Sequence, residues 1–257
     1  LDIVGVNRLV SALSLDVISH TAGKMAGPLL GGILFEVFGA WGAYAFIVVL
    51  YGCSGISALF VRTSRVTRAE VTESVISAVI GALRYVKGQQ VIWAALVIAV
   101  IINLTGFPFH GTLVPIFARD VLGLDAAGLG ILISAFGIGA VAGSMFLSLF
   151  PNLKNVGKLL FLSVVVWHGS MAAFGASTSF PVSLAILVLT GFAFSSTLVL
   201  IMIPIWRTAL PEYRGRIIGL RVLAIYASAF GSLSSGGIAG AFAPALAANV
   251  SAGVGIL

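Results

Sequence analysis

The feature that most narrows the fold of this chain is a series of apolar stretches, each about as long as a bilayer core is thick. A helix crossing hydrocarbon needs about 20 predominantly apolar residues. Such stretches run from about Leu9 to Val37, Trp41 to Val61, Val91 to Ala118, Leu129 to Phe150, Leu159 to Ser177, Val182 to Trp206 and Ile217 to Ala243. A last apolar piece, Leu246 to Leu257, is too short to cross. Of 257 residues, 60% are apolar and 9% charged, whereas a soluble domain carries about 25% charged residues. The fold class is therefore an all-α polytopic membrane protein, with about seven full transmembrane helices plus a truncated one.

The charges sit between the stretches. The chain has 14 Lys and Arg against 8 Asp and Glu, a net charge of +6. Basic residues gather in three gaps: Arg62–Gln90, Pro151–Lys158 and Arg207–Arg216. Helices that alternate in direction put all three on one side. Phe38–Ala40 and Thr178–Pro181, on the other side, carry no charge. This is the positive-inside pattern, so the basic side reads as cytoplasmic and the location as the cell membrane. It is not the continuous basic face that nucleic acid requires. The single cysteine, Cys53, allows no disulfide within the chain and reads as a small packing residue.

The Arg62–Gln90 gap is too polar to cross and too long for a hairpin. Val75, Ile76, Val79, Ile80, Leu83 and Val86 recur in it at helical spacing, which predicts an amphipathic helix on the cytoplasmic membrane face. It divides the chain into residues 1–61, the last two helices of an N-terminal bundle; 62–90, the linker; and 91–257, a C-terminal bundle truncated in its last helix. A shift of 208 residues lays Arg8 on Arg216, Gly23 on Gly231 and Gly32 on Gly240. Transporters are often built from such repeats. Both ends of the chain read as cuts through a longer protein.

The sharpest motif is Gly23-Lys24-Met25-Ala26-Gly27-Pro28-Leu29-Leu30-Gly31-Gly32. Small residues four apart let helix backbones approach closely, and Pro28 removes an N–H and bends the helix. The string resembles the antiporter signature in the fifth helix of major facilitator superfamily exporters. Pro115–Leu124, followed by Gly128-Leu129-Gly130 and Phe136–Ala140, looks like the junction of helices 7 and 8 in drug and siderophore exporters of that superfamily. Pro211-Glu212-Tyr213-Arg214-Gly215-Arg216 looks like their cytoplasmic loop between helices 10 and 11. The resemblance covers essentially the whole chain and implies an incomplete major facilitator fold, helices 5 to 12. It departs from the family pattern at Ser14, where a further glycine is usual, and at Pro151–Lys158, which lacks the acid of the gating motif.

Asp16, His20 and Lys24 are four residues apart and form one helical stripe. Lys24 lies roughly 20 Å along the axis from Ser11, near mid-membrane. An ionisable group facing lipid there costs about 2.5–3.5 kcal/mol or more, so it is expected to face a cavity. Asn103 stands near Pro108 in a span expected to be broken, and joins Asp16, His20 and Lys24 as a candidate for a substrate and proton cavity. His110 reads as interfacial, His168 as packing beside Trp167. Ser195, Ser196 and Thr197 read as bonding their own helix carbonyls. Glu212, Arg214, Gly215 and Arg216 read as cytoplasmic anchors or as an inward-side charge latch.

No catalytic set, metal site or cofactor motif emerges, and there is no G-x-x-x-x-G-K-[ST] loop for ATP. The resemblance implies a secondary active transporter. It would export a small amphipathic molecule in exchange for protons, with the lipid bilayer as its only other partner, and would be monomeric when complete. An uptake carrier of the same fold is the alternative; a channel or a membrane-embedded enzyme ranks behind it. If the close contact at Gly27 is needed, Gly27→Leu in the full-length protein abolishes transport in a vesicle assay while membrane insertion is unchanged; normal transport in that variant would show the contact to be dispensable.

Overall fold

A computed structural model describes residues 8–60, 75–150 and 152–256, without the side chains of residues 24–29, 31–33, 36, 75, 76 and 126. Ten α-helices and one π-helix follow each other along these residues: α1 (Leu9–Leu59), α2 (Val75–Lys87), α3 (Gln90–Thr105), the π-helix (Phe109–Leu113), α4 (Val114–Asp120), α5 (Ala126–Ser148), α6 (Val156–Gly175), α7 (Phe180–Thr208), α8 (Pro211–Ile225), α9 (Ala227–Ala241) and α10 (Pro244–Ile256). All-helical structure is what a hydrocarbon solvent demands, because each backbone group must be bonded within its own segment. Six stretches of the described residues are long and apolar enough to cross a membrane: Val37–Leu59, Gln90–Asp120, Ala127–Ser148, Val156–Gly175, Phe180–Thr208 and Pro211–Ala241. The first expected span, with Asp16, His20 and Lys24 in it, is helical but is not one of the six.

Helix α1 turns within its length. Gly39 adopts φ 67° and ψ −175°, so two helical arms meet there. The boundary falls in the expected Phe38–Ala40 gap. The second arm buries none of its apolar surface against the described residues. Cys53 is exposed on it, not packed as expected, because nothing described lies against that arm.

Two kinds of contact assemble the rest. Helices α5 and α7 meet backbone to backbone. A Cβ added at Gly139 would collide with the Val188 carbonyl, one at Gly143 with that of Phe192, and one at Gly191 with that of Phe136. Helices α6 and α7 meet through hydroxyls. Ser163 lies 2.9 Å from Thr197, Ser170 lies 2.9 Å from Thr190 and Ser177 lies 2.9 Å from Ser183. The first two rungs are seven residues apart on both helices, the spacing of a left-handed antiparallel pair, and the third, Ser177 with Ser183, closes the turn just past the end of α6.

The first arm of α1 lies on α5 along a seam of short side chains. Ser11 Oγ donates to the Ser148 carbonyl at 3.4 Å, and Ser14 and Ser144 are fully buried. Ser14, where the motif usually has a glycine, thus still presents a small side chain to a neighbouring helix.

Helix α2 forms where the apolar spacing predicts a helix. Ala82 and Val86 are fully buried, while Ile80 and Leu83, which belong to the expected apolar stripe, are exposed. Its Tyr85 ring stacks on Tyr213 of α8 at 4.1 Å and 3°, and the Leu210 N–H donates to the Tyr85 hydroxyl at 3.2 Å.

Gly191→Val is expected to destabilise the bundle by about 3 kcal/mol, since backbone cannot yield to the added methyls. Thr190→Val, one residue away, removes one rung and is expected to cost only about 0.6 kcal/mol. Unfolding midpoints in a denaturing-detergent titration rank the two variants; equal midpoints would show that the close contact does not dominate.

Candidate functional site

A single residue breaks α3. Pro108 has no N–H to give the carbonyl of Leu104, one turn back. The helix ends at Thr105, and the chain resumes as the π-helix Phe109–Leu113, a wide turn often found at functional sites. Gly231 of α9 fills the space beside the freed carbonyl; a Cβ there would collide with it. The break lies where the sequence places it, and it turns Phe107 and His110 inward.

They turn into a cavity of about 600 Å³ bounded by α1, α3, the π-helix, α4, α5, α7, α8 and α9. One part of its wall is aromatic. His110 stacks on Phe136 with ring centroids 4.9 Å apart and planes 22° apart. Phe194 meets Phe136 at 5.2 Å, His110 at 5.4 Å and Phe107 at 5.5 Å. Trp167, fully buried, backs the group edge-on to Phe194 at 5.1 Å. Such pairs add about 0.5–1.5 kcal/mol each beyond the area they bury, so the aromatic wall is stiff without a ligand. His110 therefore belongs to the cavity, not to the interface as the sequence suggested. The π-helix carries it inward, which spacing on an ideal helix does not anticipate.

A few polar residues stand in the otherwise apolar remainder of the wall. Asp16 and His20 line it from the first arm of α1, one turn apart and both exposed to it. Asn103 lines it from α3 and is 5% exposed. Its Nδ2 donates to the Ala99 carbonyl at 2.7 Å, while its Oδ1 has no hydrogen-bond partner among the described residues. Three of the four candidate cavity residues thus share one wall. The side chain of the fourth, Lys24, lies outside the described residues.

The sequence reading missed Arg221. It lines the cavity from α8, half-buried, in the same space as Asp16. No ion pair joins the two among the described residues, where the one that forms is Arg119 with Asp120 at the opposite end of the bundle. The signal was present: an arginine four residues into an apolar stretch is costly unless it faces a cavity.

The glycine motif is only partly visible. No described atom lies within 4 Å of a Cβ built on Gly23. The side-chain surroundings of Gly27, Pro28, Gly31 and Gly32 lie outside the described residues.

Arg214 donates to the carbonyls of Ala209 at 3.2 Å and Trp206 at 3.5 Å, and lies over the Trp206 ring. It caps the exposed carbonyl end of α7, as cations do at helix C-termini. Arg216 lies over Tyr213 and reaches α2 at Gly81. Glu212 is exposed in the first turn of α8, beside Gly215.

His168 is fully buried, 2.8 Å from Thr105 Oγ1 and 2.9 Å from the Val164 carbonyl, and so joins α6 to α3. Ser195 and Thr197 bond the carbonyls of Phe192 and Ala193, as expected. Ser196 Oγ, also expected to bond its own helix, has no partner among the described residues. No group of three potential metal ligands occurs among the described residues.

The family described as transmembrane secretion effector, of the major facilitator type, has a model that matches residues 1–255. No curated protein matches the chain.

Phe194 touches the other aromatic rings of the wall. Phe194→Ala in the full-length protein is expected to weaken retention of an amphipathic aromatic dye about 10-fold. Fluorescence anisotropy in detergent measures it; unchanged retention would place the dye elsewhere.

Proposed function

We propose, because this chain belongs to the transmembrane secretion effector family of the major facilitator type, that it exports a small amphipathic molecule through the cavity between its helices. The chain is a multi-pass membrane protein, and its family points to transport rather than catalysis. The observation that carries the finer reading is the make-up of the cavity wall. The rings of Phe107, His110 of the π-helix, Phe136 of α5 and Phe194 of α7 face a space that also holds Asp16, His20, Asn103 and Arg221. Apolar surface with a few convergent polar groups is how small-molecule sites are built.

Residues 1–61 and 91–257 then act as parts of two bundles joined by the 62–90 linker. The first arm of α1 supplies one wall of the cavity and the later helices supply the others. Alternating access is a rocking of one bundle against the other about this site. The seam of Ser11 and Ser14 with Ser144 and Ser148 suits it, since short side chains interlock weakly. The linker side faces the cytoplasm, in keeping with its basic residues, and the membrane is the cell membrane.

The exchanged ion is the proton, and Asp16 is the group over which cargo and proton compete, with His20 one turn away. Proteoliposomes holding the full-length protein and a panel of fluorescent amphipathic dyes test this. Dye is expected to move against an imposed proton gradient, and Asp16→Asn to abolish the gradient dependence while dye still binds. Dye movement that ignores the gradient would sink the exchange; no movement of any dye would sink the transport reading.

A further inference from the structure

The basic end of the bundle holds a second hollow, of about 700 Å³, none of whose lining residues belongs to the central cavity. Its floor is apolar. Val91, Ala94 and Ile98 of α3 face Leu160 of α6 with Ile203 and Pro204 of α7. From Val91 to Ile98 is about 10 Å along the helix axis, and Val91 and Ala94 are exposed.

The mouth of the hollow is cationic. Arg207 lines it from the last turn of α7. Its guanidinium donates to the Leu153 carbonyl at 3.3 Å, which occupies one of its five N–H groups. Lys154 and Lys158, both exposed, flank the Asn155–Gly157 segment that forms the rim. Among the described residues no Asp or Glu lines the hollow. Both α3 and α6 begin at it, and neither has a side-chain cap, so the positive ends of two helices add to the same field.

We propose that this hollow seats an anionic glycerophospholipid. The phosphate lies at Arg207 within reach of Lys154 and Lys158, and one acyl chain lies between α3, α6 and α7. Charge complementarity selects the headgroup, since Arg207 lines the hollow, Lys154 and Lys158 flank its Asn155–Gly157 wall, and no acid lines it among the described residues. The apolar floor selects a lipid over free phosphate, which would leave that surface bare. Basic hollows between transmembrane helices on the cytoplasmic side suit such headgroups generally.

The full-length protein, reconstituted in nanodiscs of mixed phosphatidylglycerol and phosphatidylcholine, tests this by native mass spectrometry of the lipids it retains. Phosphatidylglycerol is expected to be retained over phosphatidylcholine. Arg207→Gln is expected to lower that retention about fivefold, the effect of one positive charge near an anionic surface. Ala94→Trp fills the floor and leaves every charge in place; it is expected to lower retention as well. Millimolar inorganic phosphate is expected not to displace the lipid. Equal retention of the two lipids, unchanged retention in Arg207→Gln, or displacement by inorganic phosphate would each overturn the proposal. Thermal melting confirms that the variants are folded, and if Ala94→Trp is not, Arg207→Gln decides alone.

Discussion

The structure depends on one constraint: in hydrocarbon there is no water to take up a stray N–H or C=O. Helix is the response along each segment, and the side chains respond in kind. Several buried serines and threonines, Ser163 and Thr190 among them, bond carbonyls on their own helices, and two pairs bond one another between α6 and α7, with a third at the turn that joins them. Between α5 and α7, glycines are set directly against carbonyl oxygens. Apolar side chains gain little by leaving lipid for protein. Close van der Waals contact and shared hydroxyls must therefore hold the bundle together.

Three departures from that constraint gather at the central cavity. Pro108 leaves a carbonyl without its usual donor, and the chain answers with a wide turn that brings His110 beside Phe136. Asn103 keeps an oxygen without a described partner at the cavity wall. Arg221 stands in the same space as Asp16 without closing an ion pair. Each is costly in a packed interior, and all three are concentrated around one cavity.

Much of this was legible in the sequence. Apolar run lengths located the spans, because hydrocarbon thickness fixes helix length, and charge in the gaps gave their common sidedness. Periodicity located α2, although of its apolar stripe Val86 is buried while Ile80 and Leu83 are exposed. Pro108 announced the break in α3. The cavity was legible only in part. Asp16, His20 and Asn103 stood out as polar residues in apolar runs, and Arg221 could have been read by the same rule. The aromatic wall could not. Phe107, Phe136 and Phe194 lie on three helices in a chain with 17 phenylalanines, and only packing tells which of them meet. His110 was misplaced because a π-turn shifts the direction of every side chain after it.

The hydroxyl rungs between α6 and α7 have a mechanical consequence. On α6 they stand at 163 and 170, with a third at 177 in the turn beyond it, and on α7 at 197, 190 and 183, so the paired numbers always have the same sum. A slip of one residue along the axis parts all three at once, and the next position that restores two of them lies a full heptad away, about 10 Å. The pair therefore works like a toothed rack with widely spaced teeth. It tolerates tilt and resists sliding, so whatever motion the bundle makes, these two helices travel as a single beam.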